Sequence, residues 1–579
     1  MNILKLTEQN LRFNTDSYKK IFSQNFIDDI DSFSLVQPRL FSTLTNFCRR
    51  KYTFPILLIR SQENINYLAK IANVIKRLYI QDGTLYGGEY HITSNNIILK
   101  PPKDPSNPFT SLGKVIYAEW IELEKLLGSV HAYKKYINLI PGIVHQANGG
   151  FLLLSLRTLL KQPLMWKRLK QCIIKKLFEW FIPNNITRIS SSIPALPMNL
   201  RLVLCGEYDS LASLQQLEPE IHKLAIYTEF EEQITIITRK DMFAWCHWTS
   251  VIAREAKIPH PQADFWPVLI HESSRYTGAK NTLSLCPCWL LRQLQEAMLY
   301  GNILNKKSLQ KAIEIRYWHE NYVYKKMYNE IILKTISVQT EGKVIGQINA
   351  LSVFEYAGHP LLWGQPSRIT CVVYLGDGEC IDIESKTQLG NNIHAKGVMI
   401  MQSYLHSKLA LEQHIPFSAS LVFEQSYEEI DGDSASLAEL CAVISAISSQ
   451  PIDQQIAVTG SIDQFGNVQP VAGLNEKIEG FFYICYKRYL THNQGVIIPA
   501  DNVNHLSLNE DVIKAIQEKK FHIWAIKHVD QALQILTGLP WDNAQGPSLI
   551  KKIKEKICKN HKTNTNEIPW LFRWLNWGQ

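Results

Sequence analysis

Ser434 lies in EIDGDSASL (429–437), and the inner GDSAS stops one glycine short of the G-x-S-x-G turn that exposes a nucleophilic serine. A serine attacks a carbonyl only when a neighbouring group takes its proton. His492, His505, His522 and His528 follow it in the chain, which leaves a triad order open, but none sits in a setting that marks it. Lys477, 43 residues downstream, is the stronger candidate. The segment after it, IEGFFYICYKR, is heavily apolar, so its ammonium would lie beside a hydrophobic wall. Burial disfavours the charged form and lowers a lysine pKa by up to several units from about 10.4, giving a neutral amine that accepts a proton. The purely structural alternative is an ordinary helix start. Ser434 or Ser436 is then an N-cap, Glu439 three residues after Ser436 closes a capping box, and Lys477 is solvated. A calcium loop beginning at Asp431 and Asp433 is rejected, because Ala435 and Ser436 occupy the places of a ligand and the required glycine.

Several elements must position these groups. FSASLVFEQSY (417–427) reads as a strand, and SLAELCAVISAISS (436–449) as a helix with Leu437, Leu440, Cys441, Ile444 and Ile447 on one face. Ser434 therefore falls at a helix entrance, where N–H groups and the dipole favour an oxyanion. IAVTGSIDQFGNVQPVAGLNEKIEG (456–480) reads as strand, Gly466-Asn467 turn, strand, then the helix carrying Lys477. Upstream, KVIGQINALSVFEY, SRITCVVYLG and ECIDIES look like short strands.

DGDSAS (431–436), TGSID (459–463) and GLNEKIEGF (473–481) closely resemble the catalytic motifs of the Lon protease family, the S16 serine peptidases. The threonine-to-lysine separation of 18 agrees with that family, as does the serine-to-lysine one. IGQINALSV (345–353) and NNIHAKGVMIMQSYL (391–405) resemble the start of its proteolytic domain, and Asp433 matches the archaeal-type pattern. The resemblance covers roughly 340–540. It implies that Ser434 is the nucleophile, Lys477 the base, and Thr459 a hydrogen-bonding support for the lysine amine. It also implies acyl transfer on unfolded proteins or peptides inside a homo-oligomeric ring, most simply a hexamer.

In the first half, FPILLIR (54–60), ANGGFLLLSLRTLL (147–160) and NLRLVLCGE (199–207) read as buried strands alternating with helices such as NYLAKIANVIKRL (66–78), the pattern of a parallel α/β sheet. From about 262 to 333 the pattern is helical, without strands. Lon proteases couple the peptidase to an AAA+ ATPase, so a G-x-x-x-x-G-K-[ST] phosphate loop is expected after the first strand. SQENINYLAK (61–70) stands there with no glycine, and Ser155-Leu156 stand where acidic Walker B residues belong. Residues 147–340 resemble a proteobacterial branch of Lon-like homologues that keeps the α/β part and helical lid without intact nucleotide motifs. Arg292, on the lid, corresponds to an AAA+ sensor arginine or, more simply given the empty phosphate loop, is a solvated helical arginine. No cofactor is expected, neither nucleotide nor metal.

The fold class expected is α/β and α+β multidomain: a degenerate AAA+-like module (1–240), a helical lid (241–338), a Lon-type proteolytic domain (339–545), and a basic helix with an aromatic tail (546–579). Composition agrees with a multidomain globular chain: 579 residues, 46% hydrophobic, 20% charged, net charge +8. The eleven cysteines are scattered, and the one close pair, Cys286-Pro-Cys288, is neither a disulfide framework nor a zinc site. With no signal-like N-terminus and no run of 18 apolar residues, a cytoplasmic protein without a membrane span is expected. WKRLKQCIIKKLFEW (166–180) and LIKKIKEKICKNHK (549–562) suit a nucleic-acid surface weakly and amphipathic helices better. Trp570, Phe572, Trp574 and Trp577 suggest a docking tail. The rival reading from another class is a non-catalytic scaffold, perhaps nucleic-acid binding, that keeps a Lon-like shell.

Overall fold

The computed structural model describes residues 4–24, 26, 31–49, 54–93, 96–133, 136–180, 192–376, 379–409, 417–426 and 429–566; the aromatic tail residues 570–577 lie outside them. The chain forms two compact units, one of residues 24–260 and 284–295, the other of 1–23, 261–283 and 296–579.

The unit of residues 24–260 is built on a five-stranded parallel sheet. Its strands are β1 (Ile56–Arg60), β2 (Val115–Ala118), β3 (Phe151–Ser155), β4 (Arg201–Gly206) and β5 (Ala225–Glu229), in the order β5-β1-β4-β3-β2. ILLI in β1 and FLLLS in β3 are buried throughout, as continuous apolar runs must be when both faces of a parallel sheet are covered. Helix α1 (Ile65–Leu78) follows β1. The Asn64 side chain caps it by accepting from Asn66 N and Tyr67 N at 3.1 and 3.3 Å, and Leu68, Ile71, Ala72 and Ile75 form its buried face. Two short helices open directly at strand ends, α2 (Leu156–Lys161) after β3 and α3 (Tyr208–Leu217) after β4. Up to Lys175 the basic 166–180 stretch lies in the helix Pro163–Lys175, which buries Trp166, Leu169, Cys172 and Ile173 and turns Lys170 onto Glu218 at 2.6 Å, and Leu177–Phe178 then form a short strand. The helix is amphipathic.

In the other unit, β6 (Gln347–Phe354), β7 (Trp363–Leu375), β8 (Cys380–Asp382), β9 (Phe417–Glu424), β10 (Ile456–Val458), β11 (Gly495–Pro499) and β12 (His522–Ile526) join the strand Leu4–Lys5 in one sheet. Its order is Leu4–Lys5, β12, β11, β10, β6, β7, β9, β8. β6–β7 and β7–β9 are antiparallel, while β12, β11, β10 and β6 run parallel. Three helices matter for the site: α4 (Asn392–Leu409), α5 (Ser436–Ser448) and α6 (Leu474–Lys487). Every residue of α5 is buried, so this helix is the centre of the core rather than an amphipathic cover.

Two sequence readings need correction. The stretch ECIDIES does not remain a strand: Asp382 accepts from Glu384 N at 3.3 Å and Ser385 N at 3.1 Å, and this cap starts the short helix Ile383–Lys386. The helical stretch after 262 also contains a strand, Thr282–Ser284. The basic helix Leu549–Asn566 does form. Leu549, Ile553 and Ile557 enter the core, and Lys556 Nζ reaches Ala446 O and Ser449 Oγ at 3.1 and 2.8 Å.

Helix α6 lies against β7 through two glycines. A Cβ at Gly364 would come 2.1 Å from Glu476 O, and one at Gly480 would come 2.0 Å from Gly364 O. Neither backbone atom can yield without lifting the helix. Alanine in a helix interior normally gains up to about 1 kcal/mol over glycine. At position 480 the clash reverses the sign: Gly480→Ala is expected to cost about 1–3 kcal/mol of stability, as other overpacked sites do. Denaturant unfolding measures it, and an unchanged or raised midpoint would show that the helix is not seated this way.

Candidate active site

Residues 430–435 form a loop pinned at both ends. Ile430 N donates to Leu389 O at 2.7 Å, Asn391 N donates to Ile430 O at 3.1 Å, and the Asn391 amide bonds the Asp431 carboxylate. Gly432 turns the chain at a φ of 91°, in the left-handed region that glycine tolerates. On the far side, Gly460 N donates to Ser434 O at 3.0 Å and Leu437 N to Gly460 O at 3.2 Å. The loop is thereby tied to the chain leaving β10. Ser461 Oγ donates to Asp433 Oδ2 at 2.7 Å.

Lys477 is 3% exposed, one turn into α6. Its Nζ lies 2.9 Å from Ser434 Oγ and 3.2 Å from Thr459 Oγ1. Thr459 is fully buried one residue beyond β10, its N donating to Ile497 O at 3.1 Å. The structure thus brings Ser434, Lys477 and Thr459 together. Burial pushes the Lys477 ammonium from 10.5 down to about 8, against the opposing pull of Asp433. At pH 7 about a tenth of such lysines are neutral, against well under a thousandth for a solvated one.

The helix-start alternative does not describe this geometry. Ala435 occupies the N-cap position of α5 without a side-chain cap. Ser436 Oγ accepts instead from Ile462 N at 3.2 Å, and Glu439 faces His394 rather than the cap. Two amides of the first turn are already engaged, Ser436 N on Asp433 O at 3.1 Å and Leu437 N on Gly460 O. Three of the four downstream histidine rings have other partners: His522 meets the His492 carbonyl, His528 meets Phe465 O, and His505 meets Asn502. None of these contacts involves Ser434. Arg292 is exposed on the helix Pro287–Leu299.

Only residues 61–64 lie between β1 and α1, half the length of a phosphate loop. Within them Glu63, 5% exposed, turns its carboxylate inward. One oxygen accepts from Ser155 Oγ and Arg157 N, both at 2.6 Å; the other accepts from Ser210 Oγ at 2.5 Å and Glu207 N at 3.4 Å. These donors stand at the N-terminal ends of α2 and α3, where an anion is favoured. The anion present is part of the chain. Sequence reading missed Glu63, as it missed Gly364, Gly480, Ser461 and His394; a glutamate in place of a loop glycine was the one available signal.

Residues 392–538 match the model of the Lon protease (S16) C-terminal proteolytic domain, and residues 112–231 that of the LonB-like AAA domain. The chain therefore joins an AAA-like module to a proteolytic domain. A protein of Escherichia coli (strain K12) named as a Lon protease homolog is 47% identical over 582 residues, covering 100% of this chain and 99% of its own length. Another so named, from Haemophilus influenzae, is 36% identical over 89% of this chain and 87% of its own. An archaeal Lon protease of Thermoplasma volcanium is 27% identical over 46% of this chain and 40% of its own. The chain belongs to the Lon protease family. Among the described residues no helix is long and apolar enough to cross a membrane.

Because the neutral amine increases as pH rises through about 8, labelling of Ser434 by a fluorophosphonate is expected to accelerate with a midpoint near that pH. Asp433 holds the lysine proton on, so Asp433→Asn should move the midpoint to lower pH. An upward shift, or a profile without an inflection, would contradict this electrostatic arrangement.

Proposed function

We propose that the chain is a serine endopeptidase working through a Ser434–Lys477 dyad on unfolded proteins or peptides, without nucleotide hydrolysis. The observation that carries this reading is the 2.9 Å contact between Ser434 Oγ and the amine of a lysine buried to 3% exposure. Neutral Lys477 Nζ takes the Ser434 proton as Oγ attacks the peptide carbonyl, then returns it to the leaving amine. A water molecule, deprotonated by the same amine, releases the acyl-enzyme. Thr459 Oγ1 accepts one N–H of Lys477, which leaves the amine lone pair directed at Ser434.

The AAA-like module supports a structural role. Phosphate cradling needs several backbone N–H groups around an open anion site. Here the Glu63 carboxylate engages the donors at the ends of β3 and β4, and the loop after β1 is too short to wrap a phosphate. Ser155 stands where a metal-binding acid is needed, and its hydroxyl is committed to Glu63. Without a source of work for unfolding, folded proteins are spared. The family resemblance further supports a cytoplasmic homo-oligomeric ring, a hexamer, enclosing the sites.

Hydrolysis of a fluorogenic peptide tests the reading. Ser434→Ala is expected to lower kcat/KM by about three orders of magnitude or more, and Lys477→Arg nearly as much, because a guanidinium stays protonated. Addition of ATP and Mg²⁺ should leave the wild-type rate within about a factor of two, with no phosphate release. Full activity in Lys477→Arg overturns the dyad; ATPase activity abolished by substitutions in residues 24–260 overturns nucleotide independence.

A further inference from the structure

Behind the Ser434 loop, four ionisable side chains from four elements meet in the core. Asp382 ends β8, Glu384 lies in the short helix after it, His394 is in the first turn of α4, and Glu439 is in the first turn of α5. Asp382 is 7% exposed, Glu384 2%, His394 1% and Glu439 2%. Almost nothing of these charges reaches water, and charge buried to this degree normally finds a partner.

Three of the four do. His394 Nε2 meets Asp382 Oδ2 at 3.0 Å, Asp382 also caps the short helix, and Glu384 Oε1 accepts from Phe423 N at 3.1 Å. Glu439 is the exception: both carboxylate oxygens are buried with no hydrogen bond, and His394 Nδ1 stands 3.8 Å from Oε1, just beyond bonding distance. The position of this incomplete bond is informative. One turn further along α4, Gly397 lies against the nucleophile loop, so close that a Cβ there would sit 3.0 Å from Asp433 Cβ. Just before α4, residues 389–391 carry the backbone and side-chain bonds that pin Ile430 and Asp431. The His394–Glu439 contact therefore joins the two helices between which the Ser434 loop is held.

We propose that Glu439 is a positioning residue for the nucleophile: its carboxylate, drawn to His394 Nδ1–H, clamps the first turn of α4 to the first turn of α5 and so fixes the loop that carries Ser434. The proposal rests on the Ser434–Lys477 reading and adds to it a second ionisation that modulates the site several-fold. Burial lowers the His394 pKa, but the hydrogen bond to Asp382 and the charge of Glu439 raise it by more, and this net rise favours the protonated ring that the clamp uses. Burial raises Glu439 to about 7, with His394 opposing and Asp382 adding to the rise. The other titratable group facing Glu439 is the Cys380 thiol, pushed up by burial to about 12 and neutral throughout this range. Glu384 faces His394 and is itself shifted upward, chiefly by burial. Below pH 7 the Glu439 carboxyl is neutral and the clamp relaxes; above it the clamp engages.

The test is the pH dependence of kcat/KM for peptide hydrolysis by the full-length protein. In the wild type, log kcat/KM should rise with a slope of about one below pH 8 as Lys477 loses its proton, with an added several-fold step centred near pH 7 as Glu439 loses its own. Glu439→Gln keeps the side-chain shape without the charge. It should lower the plateau several-fold through kcat rather than KM, and give a slope of about one throughout, with the upper inflection retained. His394→Gln should do the same. A wild-type profile without the step near pH 7, or a step that survives in Glu439→Gln, overturns the proposal, and the first outcome needs no variant to be stable. Loss of the upper inflection in the wild type, or activity in Ser434→Ala, would instead indict the dyad itself.

Discussion

The amine of Lys477 is placed where water cannot solvate it, and much of the proteolytic domain's architecture serves that placement. Helix α6 buries Leu474, Ile478, Phe481 and Cys485 in a core shared with β11 and β12, which drives its first turn inward. The glycine pair at 364 and 480 lets it lie directly on β7. Once there, the amine has two neighbours within hydrogen-bonding distance, Ser434 and Thr459, each delivered by a different piece of the fold. Burial is unfavourable for an ammonium and tolerable for a neutral amine, so the same packing that stabilises the helix favours the neutral amine that the proposed dyad needs.

In the other unit a negative charge is placed instead. Glu63 gathers hydroxyls and amides from the ends of two strands and satisfies the N-terminal turns of two helices. In a nucleotide-binding sheet of this kind the ligand sits outside the carboxyl ends of the strands. A side chain that fills the anion position keeps the sheet ends tied together without a ligand.

Much of this was legible in the sequence. The resemblance of the motifs around Ser434, Thr459 and Lys477 and the apolar run after Lys477 pointed to the constellation, and the periodicity of 66–78 gave α1 its buried face, whereas the one apolar face read in 436–449 belongs to a helix buried all round. Less visible were contacts between segments far apart in the chain. Glu439 at three residues from Ser436 has the spacing of a local cap, yet its environment is set by His394, 45 residues earlier. The strand-like ECIDIES ends at Asp382 because that side chain caps a helix and bonds His394 at once. Gly364 and Gly480 are single glycines whose need arises only when helix and strand meet. Missing glycines set residues 61–70 apart from a phosphate-loop pattern, but gave no sign of the contacts that the Glu63 carboxylate makes there.

The proposed dyad needs burial to lower the Lys477 pKa, and titration of that amine measures whether it does. In protein labelled with 13C at the lysine ε-carbon, the Lys477 resonance, assigned by its absence in Lys477→Arg, can be followed with pH. An inflection near pH 8, separated from the other lysines, is the expected result. An inflection above about 10, where solvated lysines titrate, would contradict the account.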